Sequence, residues 1–163
     1  MLRWEDRPME VANHFNPAFC SLLLSEAVSG YMGRSTQGME YPLSFLVLPI
    51  VLHKSTREAL PKNTRTRLHI WIQDNSSCRI GFVKRVQYLK SYTQESLIFG
   101  MQQGLLIVDD KGLLIPAKKK IPKLPAPEGS EPNEIQARAL FVGKWFADVT
   151  DTSTLLTMWG LRP

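Results

Sequence analysis

The segment from Leu105 to Ile115 constrains this chain most. It reads Leu105-Leu106-Ile107-Val108, then Asp109-Asp110-Lys111-Gly112, then Leu113-Leu114-Ile115. Two apolar runs around a short turn rich in Asp and Gly predict an antiparallel hairpin. Asp side chains bond their own backbone in turns, and Gly supplies a positive φ. Gly104, just upstream, is placed to close a helix in the left-handed conformation. Before it, Leu68, Ile70, Trp71 and Ile72 make a short element. Ser76 or Ser77 is expected to cap a helix with Ile80, Val83, Val86 and Leu89 inside. Ser91 and Gln94 repeat a capping-box pattern, which predicts a further helix with Leu97, Ile98 and Met101 on one face. Helices followed by a hairpin are the order of a winged-helix domain. A generic α+β domain ending in a hairpin is the alternative.

The first half of the chain reads as helices. Asn16 can cap free N–H groups and Pro17 fits the first helical position. Phe19, Leu22, Leu23, Val28 and Tyr31 follow at helical spacing, and Gly30 and Gly33 are expected to end the helix. Tyr41-Pro42 opens a second helix that runs to about His53, with Pro49 inside it as a kink. Ser55 and Glu58 form a capping box for one more turn, which Pro61 stops.

After the hairpin come Pro116, Pro122, Pro125, Pro127 and Pro132, with Lys118, Lys119, Lys120 and Lys123 between them. Such a stretch stays extended and solvated. A helix capped near Asn133 is expected next, with Ala137, Leu140, Phe141, Trp145 and Phe146 seeking a surface. A last short helix begins near Asp151–Ser153. The predicted fold class is α+β and mainly helical, with a winged-helix-like core and a β-hairpin wing. The predicted organisation is an N-terminal arm (1–15), that core (16–116), a Pro/Lys-rich linker (117–132), and C-terminal helices packing on the core or a partner (133–163).

Composition narrows the function. The 163 residues are 44% hydrophobic and 21% charged, enough apolar material for a packed core. The start, Met1 to Pro8, is charged rather than apolar, so no secretory leader is expected. The most apolar run, Leu43 to Leu52, falls short of the roughly 20 residues that span a bilayer. A soluble, cytoplasmic protein is the expectation. Cys20 and Cys78 sit among apolar neighbours and read as buried thiols in a reducing compartment.

The motifs of chemistry do not assemble. Cys20, Cys78, His14, His53 and His69 stand in no nucleophile–base order, and the histidines lack metal-ligand spacing. No phosphate-binding Gly loop is present. Asp109-Asp110 is explained by the turn. His53, after an apolar run, reads as a satisfied edge residue. No enzyme activity and no cofactor or metal are expected. A small hydrolase using Cys20 or Cys78 is the weakest alternative.

Twenty Lys and Arg against 15 Asp and Glu give a net charge of +5. Candidate phosphate contacts are Lys84, Arg85, Lys111, Lys118, Lys119 and Lys120. The helix before the hairpin is polar but nearly uncharged (Gln94, Glu95, Ser96, Gln102, Gln103), which argues against base reading. Contact with double-stranded DNA would be non-specific. Trp4 and Trp159 lie near the two ends, and Trp is a common interface anchor. The alternative is that both fold back on the body.

Three stretches then form a pattern. They are Trp4-Glu5-Asp6-Arg7-Pro8 with Glu10-Val11-Ala12-Asn13 and Asn16-Pro17-Ala18-Phe19; Phe45 to His53 with Thr56-Arg57 and Leu60-Pro61; and Met158-Trp159-Gly160-Leu161-Arg162-Pro163. In order and spacing they resemble the middle-component family of three-component ABC-ATPase systems, the small subunit of Lamassu-type antiphage defence. His14-Phe15 departs from that pattern, in which two aliphatic residues are expected. The resemblance implies a non-catalytic adaptor between an SMC- or Rad50-like ABC ATPase and an effector, often a nuclease. The expected partner contacts are Trp4, Arg7, Phe15, Trp159, Leu161 and Arg162. A stand-alone winged-helix DNA-binding regulator is the alternative.

Overall fold

Asn16 starts the first helix as its chemistry requires. In the computed structural model, which describes residues 15–117, 121–124, 126–149 and 151–162, its Oδ1 accepts the Ala18 N–H at 2.9 Å. Pro17 occupies the first turn of α1 (Pro17–Met32). The chain continues through α2 (Tyr41–Val51), α3 (Lys54–Ala59), α4 (Leu68–Asp74) and a 3-10 turn (Ser76–Arg79). Then come α5 (Phe82–Gln102), strands β1 (Leu106–Val108) and β2 (Leu114–Pro116), α6 (Glu131–Ala147) and α7 (Thr152–Met158). The class is α+β, mainly helical, with one antiparallel hairpin. No helix among the described residues is long and apolar enough to cross a membrane.

The hairpin forms where the sequence places it. Ile107 pairs with Ile115 and Val108 with Leu114. Asp109 Oδ1 accepts the N–H groups of both Lys111 and Leu113 at 2.9 Å, the local bonding that favours Asp in turns. Gly104 closes α5 with φ +68°. On its other side β2 is tied to Met39 by reciprocal backbone bonds of 2.9 and 2.8 Å. The hairpin is thereby fastened to the α1–α2 loop.

Four expected helix starts are displaced, each for a local reason. His53, not Ser55, caps α3, because its Nδ1 accepts the Thr56 N–H. Ser76 and Ser77 lie in the 3-10 turn, and α5 begins only after Gly81. Ser91 starts no second helix: α5 runs through it unbroken to Gln102. Thr93 Oγ1 donates to Leu89 O and Ser96 Oγ to Tyr92 O. These hydroxyls bond back into the preceding turn of the helix, so they do not end it. The C-terminal helix likewise begins three residues early, after Ser130. Asn133 instead donates to Ala126 O and Pro127 O.

Helix α1 is the hub. Cys20, Leu23, Leu24, Ala27 and Val28 are all fully buried, and α6, α5, α2 and β2 pack around it. Its tightest neighbour is α6. Gly30, expected to help end α1, lies inside it, and a Cβ there would strike the Leu140 backbone. A Cβ on Gly143 would strike the Ala27 carbonyl. Two facing glycines thus set the helix separation, since any side chain would hold the backbones apart.

The C-terminal end closes the core. Asp151 caps α7, its Oδ2 accepting the Thr154 N–H at 2.7 Å. Trp159 then turns inward and is completely buried. It stacks on Phe82 at 4.3 Å between ring centroids and lies 6.1 Å from Trp71, which meets Trp145 edge-on at 5.2 Å. Trp71 Nε1 donates to Ala59 O and Trp145 Nε1 to Thr66 O. Trp159 Nε1 is buried without a hydrogen-bond partner among the described residues.

Candidate functional site

A groove of about 630 Å³ opens where four helices converge. Phe15 and Phe19 from the start of α1, Leu52 after α2, Leu89 on α5 and Ile135 on α6 make its apolar surface. Lys54, Arg57, Lys84 and Arg85 add cations and His53 a neutral ring, against the single acid Glu131 among the described residues. Sequence order explains this mixture. The first two turns of α5 carry Lys84-Arg85 one turn before Tyr88-Leu89, so charge and apolar surface alternate along the groove wall.

Two arginines hold the groove in shape. Arg57 is only 2% exposed. Its Nη1 donates to Val51 O at 2.9 Å and its Nη2 to Glu131 Oε1, and its Nε lies 3.8 Å from Glu134 Oε1. A buried guanidinium needs such partners, because desolvating it alone is costly. Arg85 has no carboxylate partner among the described residues. Its Nη2 donates to Cys78 O at 2.9 Å and its Nη1 to Ile80 O at 3.2 Å. Its guanidinium lies 5.4 Å from the Phe82 ring centroid. Burial lowers its pKa from the ordinary value.

His53 sits between the two. Its Nδ1 accepts from the Thr56 backbone and lies 2.8 Å from Thr56 Oγ1. Nε2 lies 3.4 Å from Arg85 Nη1. Burial first, and the Arg85 charge second, push the His53 pKa down.

The structure distributes the sequence candidates unevenly. Phe15, Lys84 and Arg85 meet in the groove. Lys84 is exposed, whereas Arg85 is committed to backbone carbonyls. Leu161 and Arg162 line a second hollow of about 550 Å³, with Tyr41, Pro42, Phe45 and Leu156. Trp159, expected on an arm outside the body, is instead a core residue, because stacking on Phe82 buries it. Lys111 is exposed at the hairpin tip. It follows the C-terminal end of α5 in the chain, whereas Lys84 and Arg85 stand in that helix's first turn. Trp4, Arg7, Lys118, Lys119 and Lys120 lie outside the described residues.

Sequence reasoning missed Arg57, His53 and Tyr88 as groove residues. Arg57 had one signal, its place in the Thr56-Arg57 pair of the family pattern. The other two gather only through tertiary packing. Both cysteines are buried, and burial pushes the Cys20 thiol up to about 12, which keeps it protonated and inert. His69 is exposed, and no cluster able to hold a metal occurs among the described residues.

Residues 4–163 match the family model of the ABC-three component (ABC-3C) system Middle Component 3. The chain belongs to this family. No curated protein and no solved structure matches it. A middle component works in a complex with the other parts of its system, so the groove and the second hollow are surfaces of a subunit. The match spans α1 to α7, so the basic groove and the tryptophan core lie within the family's own extent.

Proposed function

We propose that this middle component is a non-catalytic adaptor. It bridges an SMC- or Rad50-like ABC ATPase and an effector, often a nuclease, in a Lamassu-type defence complex in the cytoplasm. The observation that carries the reading is the family match joined to two separate apolar hollows. One takes in Pro49, Leu52 and His53 towards the C-terminal end of α2, the other Tyr41, Pro42 and Phe45 at its N-terminal end. Helix α5 lines both, one through Arg85, Tyr88 and Leu89, the other through Val86. A bridging subunit needs two such surfaces, apolar at the centre with polar rims. The inert thiols and a His53 spent on a helix cap fit a protein without chemistry of its own.

Co-expression with the other components of its system tests this. Affinity capture of the tagged chain is expected to retain both the ATPase and the effector. Recovery of the chain alone would remove the reading.

The rival is a stand-alone winged-helix regulator touching DNA through its basic residues. Lys111 on the exposed hairpin tip favours it. Against it, Lys111 sits beside Asp109 and Asp110, and Lys84 and Arg85 stand in the first turn of α5, at the other end of that helix from the hairpin, so these cations make no continuous stripe for phosphates. Duplex binding that falls steeply with salt and is lost in Lys111→Ala combined with alanine at 118–120 would restore the rival.

A further inference from the structure

We infer that the groove between α1, α3, α5 and α6 is a docking site for an acidic segment of a partner subunit. That segment carries aromatic or aliphatic anchors beside a carboxylate. The inference rests on the adaptor reading and names one surface of it.

Charge decides the occupant. Among the described residues, Lys54, Arg57, Lys84 and Arg85 line the groove against Glu131 alone, and Glu131 is already bound to Arg57. Arg85 and Lys84 have no carboxylate partner among the described residues. Lys54 reaches only Glu58, at 3.9 Å on the exposed face of α3. A partner placing Asp or Glu here gains an attraction that a neutral or basic one does not.

Shape decides that the acid comes with apolar neighbours. Phe15, Phe19, Leu52, Leu89 and Ile135 offer an apolar surface wider than a lone anion requires. On the rim, Tyr88 is 58% exposed, and Ile80, whose carbonyl holds Arg85, is 76% exposed. Aromatic and aliphatic anchors seated within a charged rim are the usual centre of a protein interface. The volume lies in the range of pockets that take a few buried groups, roughly 300–1,000 Å³.

The test uses the full chain co-expressed with the other components of its system, in nuclease-treated lysate. A photo-crosslinking residue replaces Tyr88. The expected product joins the chain to one component, through a peptide holding Asp or Glu within a turn of aromatic or aliphatic residues. In parallel, the double variant Lys54→Glu, Lys84→Glu is compared with Lys62→Glu, a reversal outside the groove. Both altered lysines are exposed, so folding is unaffected. The double variant should lose capture of that component by about tenfold or more, while Lys62→Glu keeps it.

Full capture by the double variant, or a crosslink only to the chain's own residues 1–14, overturns the groove assignment and leaves the adaptor reading standing. Failure of the unaltered chain to capture any component overturns both. Loss of binding to a 20-base-pair duplex with protein capture intact would give the groove to phosphates and also overturn the inference.

Discussion

The α1–α6 contact and the basic groove share the same two helices, yet they are built by opposite rules. Midway along α1 and α6, Ala27, Gly30, Ala139 and Gly143 bring two backbones together with no charge between them. At the start of both helices, Phe15, Phe19, Glu131 and Ile135 open into a groove lined by arginines and lysines. The first region has one solution and no room. The second keeps open space and cations short of partners, at a cost that packing elsewhere must offset. The middle of the pair therefore sets stability, and its beginning is where binding belongs.

The largest break in this comparison comes from the tight side. Gly143→Val drives two methyl groups and a Cβ into the Ala27 carbonyl, and neither helix can retreat without opening the core. The expected loss is about 4 kcal/mol or more, at the upper end for single changes. Urea denaturation, or failure to recover folded protein, checks it. Trp159→Ala should cost about 3–5 kcal/mol by emptying the space between Phe82 and Trp71. Trp159→Phe should cost far less, since it keeps the stack and deletes a buried N–H that has no partner. A comparable loss for both would mean that the indole nitrogen matters more than the ring.

On the open side the effects shrink. Arg57→Met keeps the volume but breaks the bonds to Val51 O and Glu131. Because both acids near Arg57 are largely exposed and rehydrate, the expected cost is about 2 kcal/mol. His53 gives a signed pH effect. Its folded pKa lies below the ordinary 6.5, so the unfolded chain binds the proton more readily. The stability present above pH 6.5 is lost as pH falls through the folded value. His53→Gln should flatten that slope in thermal melts taken between pH 5 and 8. The smallest effect is expected of Lys84→Glu, within about 0.5 kcal/mol, although the same change should weaken partner capture. A large stability loss there would erase the division between the two sides.

What the sequence made legible is what local chemistry decides. Asn16-Pro17, the Asp109 turn, Gly104 and Asp151 each act within a few residues of themselves, and each does what its type predicts. The misplaced starts, at Ser55, Ser76 and Ser91, are Ser residues with a second option. A hydroxyl can cap a helix or bond back within one, and only the surrounding packing chooses. Trp159 was misplaced for a different reason. Its burial depends on Phe82 and Trp71, distant in sequence, whereas exposure near a chain end is a guess from position. The groove was half legible: Phe15, Lys84 and Arg85 stood out by type, but Arg57, His53 and Tyr88 join them only once α1, α3, α5 and α6 meet.

The central claim is that this chain joins two other components. Mass photometry of the purified ATPase and effector, mixed with and without the chain, tests it most directly. The account predicts a three-component species when the chain is present, and separate ATPase and effector peaks when it is left out. An ATPase–effector complex of undiminished abundance without the chain would contradict it.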